Sequence, residues 1–261
     1  MTEIEYRSAN GINKSALWEI RKSPLHFKWA LEHPQSATPA LVFGGACHKF
    51  VLESATFGDE YAVLPQVDRR TKEGKALYMG FVESADGKQV VTPDEMGQIV
   101  EMQSALMQNP IVRVLLNGDH EIPMFWTDDR TGEPCKGRLD ARIADPAVLV
   151  DYKTTDDAST ESFMRSAVKY GYDVQAAHYL RGAKSTFGTE HSFVFIAQEK
   201  KPPYAVNIMQ ASEAFIERGT RVLMELMDIY HGCTESGNWY GYEGAENIVN
   251  DLTIPAWAGI E

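Results

Sequence analysis

Two neighbouring stretches decide how this sequence is read: GRLDAR (residues 137–142) and VLVDYKTT (residues 148–155). The second begins as a short apolar run rich in β-branched residues, the pattern of a buried central strand. It ends on Asp151, Tyr152 and Lys153. Residues two apart in a strand share a face, so Asp151 and Lys153 project together and Tyr152 points the other way. If the two stretches pair as an antiparallel hairpin, Asp140 lies beside Asp151. Two carboxylates and a lysine on a buried face are costly unless they have a partner. A divalent cation is one such partner, because Mg²⁺ takes carboxylates, water and substrate phosphate as ligands. The lysine then stands where it can orient an attacking water, lower its pKa or stabilise phosphorane charge. The competing reading is an ordinary inter-strand ion pair. The apolar residues before Asp151 argue for burial and so against it.

Working outward, DHEIPMFWT (119–127) and CKGRLDARI (135–143) read as strands, joined by the turn chemistry of DDRTGEP. The strand over 147–153 is followed by helices over 160–170 and 172–187. Strands over 192–198 and 204–210 flank Lys-Pro-Pro, and a helix covers about 212–231. Upstream the chain reads as helical. A helix over 13–32 is interrupted at Pro24, with Asn13 or Ser15 as cap. A linker covers 33–39, a helix 40–53 and a polar loop 65–76 that leads into a helix ending near residue 84. A further helix starts at Pro93 and ends near Gln108. This order predicts one α/β domain over 1–261 with a central mixed sheet flanked by helices. Its parts are a mostly helical 1–116, a catalytic core 117–232 and an irregular tail 233–261. The chain also reads as the C-terminal part of a longer protein.

Composition sets the remaining bounds. The 261 residues are 44% hydrophobic and 24% charged, values of a globular protein. Lys and Arg number 25 against 37 Asp and Glu, a net charge of −12, which argues against a nucleic-acid partner. Residues 211–261 alone carry nine acids and two bases, a net of −7, which leaves −5 for the other 210. The acidity is thus concentrated away from the Asp-rich stretches. DRRTKEGK (68–75) has the opposite bias, with Arg69, Arg70, Lys72 and Lys75 against two acids. It reads either as a grip on DNA phosphates or as a solvated loop. Cys47, Cys135 and Cys233 are scattered and odd in number, so reduced cytoplasmic thiols are expected. No signal peptide and no apolar run of about 20 residues is present.

The pair of stretches resembles the D-x(n)-D-x-K signature of the PD-(D/E)XK nuclease superfamily. Three further signals match its RecB-like branch: GGACH, placing His48 on an earlier helix; Gln175-Ala-Ala-His-Tyr179 after the lysine strand; and the opening SALWEIRKSPLHFKWAL. VDRRTKEGKA and the tail are similar to the RecE-type exodeoxyribonucleases. By that resemblance His48, Asp140 and Asp151 bind the metal, with the Tyr152 carbonyl as a further ligand. Lys153 positions or activates the water, and Gln175 and Tyr179 support the lysine or contact phosphate. The expected cofactor is Mg²⁺, with Mn²⁺ as alternative. Related branches with an iron–sulfur cluster carry four cysteines. Ser23 stands before Pro24 here, so no cluster is expected. Each residue has a blander rival: a core histidine at 48, ordinary helix residues at 175 and 179. Glu121 reads as an extra acid of the site or, by preference, a surface residue.

The resemblance implies an exonuclease on linear double-stranded DNA that degrades the 5′-ended strand and leaves 3′ overhangs. It implies double-stranded DNA ends, a single-strand annealing recombination protein and further copies of the chain in a tetramer ring as partners, with no membrane. An endo-acting or structure-specific nuclease, a non-catalytic DNA-binding module and a small-molecule hydrolase remain as alternatives.

Overall fold

The computed structural model describes residues 1, 3–33, 36–68 and 70–254. Its centre is a five-stranded sheet of β3 (Asp119–Thr127), β4 (Pro134–Ile143), β5 (Val148–Thr155), β6 (Ser192–Glu199) and β7 (Val206–Gln210) in that spatial order. A two-stranded parallel sheet, β1 (Tyr61–Val63) with β2 (Gln89–Val91), lies upstream in the chain. β3–β4, β4–β5 and β6–β7 are antiparallel and β5–β6 is parallel. A parallel neighbour demands a crossover, which α9 (Thr160–Tyr170) and α10 (Tyr172–Phe187) supply. The β3–β4 turn closes on Asp128, whose Oδ1 accepts from the backbone of Arg130 and Thr131, with Gly132 at φ 74°.

Alternation along β5 splits the core in two. Val148, Val150 and Tyr152 pack with α4 (Pro39–Leu52), α7 (Pro93–Gln108) and α8 (Pro110–Leu115) through Cys47, Ile99, Met102, Leu106 and Val112. Leu149 faces the opposite layer of α2 (Lys14–Glu19), α3 (Pro24–Glu32), α9, α10 and α11 (Glu213–Ser236), with Leu17, Phe27, Phe163, Val174 and Leu223. Each such fully buried large side chain contributes about 1.5–3 kcal/mol. The mixed sheet flanked by helices is the architecture expected from the sequence. The interruption expected at Pro24 in the helix over 13–32 is present: Ser23 caps a new start and Pro24 takes its first position. Asn13 caps the first of them. The polar stretch 65–76 is not loop throughout: Thr71 caps α6 (Lys72–Ser84). The short elements α1 (Glu3–Ser8), α5 (Phe57–Glu60), α8, β1 and β2 are too brief for periodicity to reveal.

The sheet is forked. β5 pairs with β6 along its whole length, from Val148↔Ser192 to Thr155↔Glu199. Its pairing with β4 is confined to Ala141↔Val150, Arg142↔Leu149 and Ile143↔Val148. Beyond that point the freed edge of β4 takes Ile12 instead, through Ile12 N–H to Pro134 O at 2.8 Å and Lys136 N–H to Ile12 O at 2.9 Å. Gly11 makes the approach possible at φ 130°, where a Cβ would lie 3.0 Å from the Cys135 carbonyl carbon. Buried Lys136 then donates to the carbonyls of Tyr6, Arg7 and Ala9 at the end of α1.

His178 ties α10 to the same edge, its Nε2 lying 3.0 Å from Lys136 O. Burial holds its imidazole down to about 4, against the opposing pull of that carbonyl. The folded value lies below the unfolded one, so the stability involved is present above pH 6.5 and lost as pH falls toward 4. We expect about 3 kcal/mol to be lost across that window. Urea unfolding of wild type and His178→Gln at pH 7 and pH 4.5 checks it: the variant should lose less on acidification. Equal losses would show that His178 does not govern this acid response.

Candidate active site

The fork builds a polar site at the point where β4 and β5 separate. Continuing the register places Asp140 across from Asp151. The Asp140 side chain replaces the missing ladder: its Oδ2 accepts the Tyr152 N–H at 2.7 Å. The same oxygen lies 2.8 Å from His48 Nε2, which is also 3.1 Å from Tyr152 O. His48 comes from α4, whose Gly45 lets Tyr61 of β1 approach; a Cβ there would lie 2.6 Å from the phenol oxygen. Asp151 and Lys153 share the opposite face from Tyr152, as alternation requires. Lys153 Nζ stands 2.6 Å from Asp151 Oδ2, in an ion pair without hydrogen-bond alignment, which leaves that buried oxygen with no aligned donor. Gln175 Nε2 donates to Asp151 Oδ1 at 2.5 Å. Tyr179, one helical turn further along α10, lays its ring on Gly137, where a Cβ would be 3.0 Å away.

These contacts fix the charges. Burial works against a charged His48, but Asp140, aided by Glu121, overcomes it and raises the imidazole to about 10. Burial pushes Asp140 up, and the neighbouring His48 pulls it net below the usual carboxylate range. Burial dominates at Asp151 and lifts it to about 6 in spite of Lys153. Burial lowers Lys153, yet Asp151 and Asp140 raise it above its ordinary value, so its ammonium is charged at neutral pH.

Every residue of the acid–lysine–histidine set, with Gln175 and Tyr179, comes together here. The cavity encloses about 310 Å³, and His48, Asp140, Lys153, Gln175 and Tyr179 line it. Gln175 grips Asp151 rather than the lysine itself. Glu121 corrects the surface reading. Its side chain is only 14% exposed, with Oε1 3.5 Å from His48 Nδ1 and Oε2 2.7 Å from Arg138 Nε. The register from His120↔Ala141 to Ile122↔Leu139 sets it opposite Asp140, and its backbone is left-handed at φ 49°. A non-glycine residue there costs of order 1–3 kcal/mol, a strain associated with functional sites. Sequence reasoning also missed Lys14 and Arg138, which line the cavity. Lys14 is buried, donates to Tyr170 O and is lowered to about 8 by burial and by the charge of Lys153. The basic segment is elsewhere: Arg70, Lys72 and Lys75 are exposed and none lines the cavity, while Arg69 lies outside the described residues.

The donor set suits a hard divalent cation. Among the described residues, His48, Glu121 and Asp140 form the group whose ligand atoms fall within 4.8 Å of one another. Asp151 is not in that group, and Lys153 and Gln175 hold its carboxylate. The Tyr152 carbonyl, 3.1 Å from His48 Nε2, supplies a further oxygen donor beside that group. The three cysteines are buried and unbridged. Among the described residues no helix is long and apolar enough to cross a membrane.

Comparison with known proteins agrees with this geometry. Residues 14–250 match the family model described as a PDDEXK-like domain of unknown function (DUF3799). No curated protein matches the chain significantly. A crystal structure from Eubacterium rectale, provisionally named an exonuclease, is similar over 98% of this chain and 96% of that one, with TM-score 0.65 and 14% identity. A phage-related exonuclease from Haemophilus somnus 129PT aligns over 74% of this chain and 95% of its own, with TM-score 0.34 and 12% identity. The first likeness is one of fold, and the family match covers both stretches that build the fork. The chain belongs to this PDDEXK-like family and carries the PD-(D/E)XK nuclease fold.

Proposed function

We propose that the protein is a divalent-metal-dependent exodeoxyribonuclease of the RecE type, acting on linear double-stranded DNA. The observation that carries this is the convergence of His48, Asp140, Asp151, Lys153 and Gln175 at one strand fork. His48, Glu121 and Asp140 would hold the cation with the Tyr152 carbonyl, and Asp151 would complete the acidic set. Mg²⁺ or Mn²⁺ held there would stabilise charge developing on the phosphodiester. Lys153, kept charged by Asp151, donates a hydrogen bond to the attacking water or to a phosphate oxygen and is not the base. Gln175 keeps Asp151 turned toward the lysine, and the Tyr179 ring closes the wall behind Gly137. Lys14 and Arg138 give that wall positive charge for the anionic substrate.

Degradation of the 5′-ended strand, a tetramer ring around the duplex and a single-strand annealing partner belong to the same reading. Its support is the RecE-like VDRRTKEGKA segment and a net charge of −12, which favours enclosure of DNA over general electrostatic attraction. Linear duplex labelled separately at its 5′ and 3′ ends, digested with Mg²⁺ or with chelator, tests it. We expect early release of the 5′ label, metal dependence and intact closed circles. Cutting of closed circles would overturn the exonuclease reading, and early release of the 3′ label would overturn the polarity.

A further inference from the structure

Tyr152 lies at the junction between the site and the core behind it. Its main chain serves the site: the N–H binds Asp140 and the carbonyl receives His48. Its ring also meets the His48 ring, with centroids 5.6 Å apart. The side chain faces the opposite layer, where it is fully buried among Val150, Ile196, Met102 and Leu106. There its hydroxyl donates to Gln198 Oε1 at 2.7 Å, and Gln198 Nε2 donates to the Met102 carbonyl of α7 at 2.7 Å. The Met102 carbonyl can only accept, so the amide faces it with nitrogen, and Gln198 Oε1 is left to take the phenol proton. Gln198 is wholly buried. A polar link of this kind in an apolar layer is stable only when every member is satisfied, and it then admits one geometry.

We propose that Gln198 and the Tyr152 phenol are positioning residues that fix the Tyr152 carbonyl and the His48–Asp140 pair from the far side of the sheet. A hydrophobic contact in their place would fill the space yet leave the ring and the helix α7 packed on it able to shift against each other. The hydrogen-bonded link ties β5 to the long helix α7 through β6 and sets that freedom to one position. The proposal rests on the metal-site reading above and adds one residue outside the cavity, Gln198, which reaches it through the Tyr152 side chain.

The test separates positioning from stability. Tyr152→Phe alone strands Gln198 Oε1, and Gln198→Leu alone strands the phenol. Each single variant should lower the melting temperature of the metal-free protein by roughly 4–8 °C. The double variant Tyr152→Phe/Gln198→Leu strands neither and should regain most of that loss. Its Mn²⁺ dissociation constant by calorimetry should nonetheless stay raised by about tenfold or more, as for lost outer-shell support. Its kcat should fall with little change in KM for DNA. A double variant with recovered stability, wild-type Mn²⁺ affinity and wild-type kcat would overturn the proposal while leaving the metal reading intact. Wild-type protein that takes up no Mn²⁺ would overturn both.

Discussion

Lys153→Met should lower kcat for DNA hydrolysis by about 10³-fold, the loss seen when one preorganised donor to a developing charge is removed. Methionine keeps the length of the aliphatic stem and removes the ammonium alone. The charge matters because of where it is held: 2.6 Å from a carboxylate that is itself 1% exposed, at the mouth of the fork. No neighbour replaces it. Lys14 lines the same cavity, but its ammonium is engaged by the Tyr170 carbonyl at the end of α9. The change should leave the fold largely intact. Burial already lifts Asp151 to about 6, and loss of Lys153 raises it further, so the carboxyl takes a proton at neutral pH instead of staying buried as an unpaired charge. Gln175 still binds it. Single-turnover cleavage beside circular dichroism melting is the measurement. A rate within threefold of wild type would remove Lys153 from the mechanism, and with it the motif reading. A large fall in melting temperature with unchanged rate would make Lys153 a structural ion-pair partner.

The legible part of the site was the part that depends on period and spacing. Alternation in VLVDYKTT put Asp151 and Lys153 on one face and Tyr152 on the other, and the structure keeps that division. The i, i+4 spacing of Gln175 and Tyr179 gave a shared helix face directed at β4 and β5. Glu121 was harder to read. It sits in a strand that reads as regular, and its role depends on a left-handed backbone that nothing in DHEIPMFWT announces. Lys14 and Arg138 are single cations in ordinary surroundings; only the fork, a tertiary feature, brings them to one cavity. The local excess of charge in DRRTKEGK was visible, but charge carries no address. The segment opens an exposed helix apart from the cavity. Gln198 was invisible because its partner lies 46 residues earlier, on the side of the sheet away from the chemistry.

Asp140→Asn should act on metal binding, stability and pH response together, because one oxygen of Asp140 serves both Tyr152 N–H and His48 Nε2. An amide can turn its oxygen to that position and still accept there, but it carries no charge to hold a protonated imidazole. The variant therefore loses the ion pair with His48 and keeps at most a neutral hydrogen bond. About 3–5 kcal/mol is typical for a fully enclosed pair; His48 keeps 27% exposure, so roughly 2–4 kcal/mol is expected. The pH dependence follows from direction. The folded imidazole is raised to about 10, above its unfolded value near 6.5. Its contribution is therefore complete below pH 6.5 and is lost as pH rises toward 10. Metal-free wild type, kept in chelator, should lose stability steadily across that window, while Asp140→Asn should be nearly flat there. Cation binding needs a neutral His48 and so competes with the same proton. Near pH 7.5 wild type should release about one proton per Mn²⁺ bound, read by calorimetry in buffers of different ionisation enthalpy. The variant should bind weakly and release little. If the variant keeps the alkaline slope, some group other than His48 produces it. If wild type binds Mn²⁺ without releasing a proton, His48 is not a ligand and Glu121 with the Asp140 and Asp151 carboxylates must hold the ion alone.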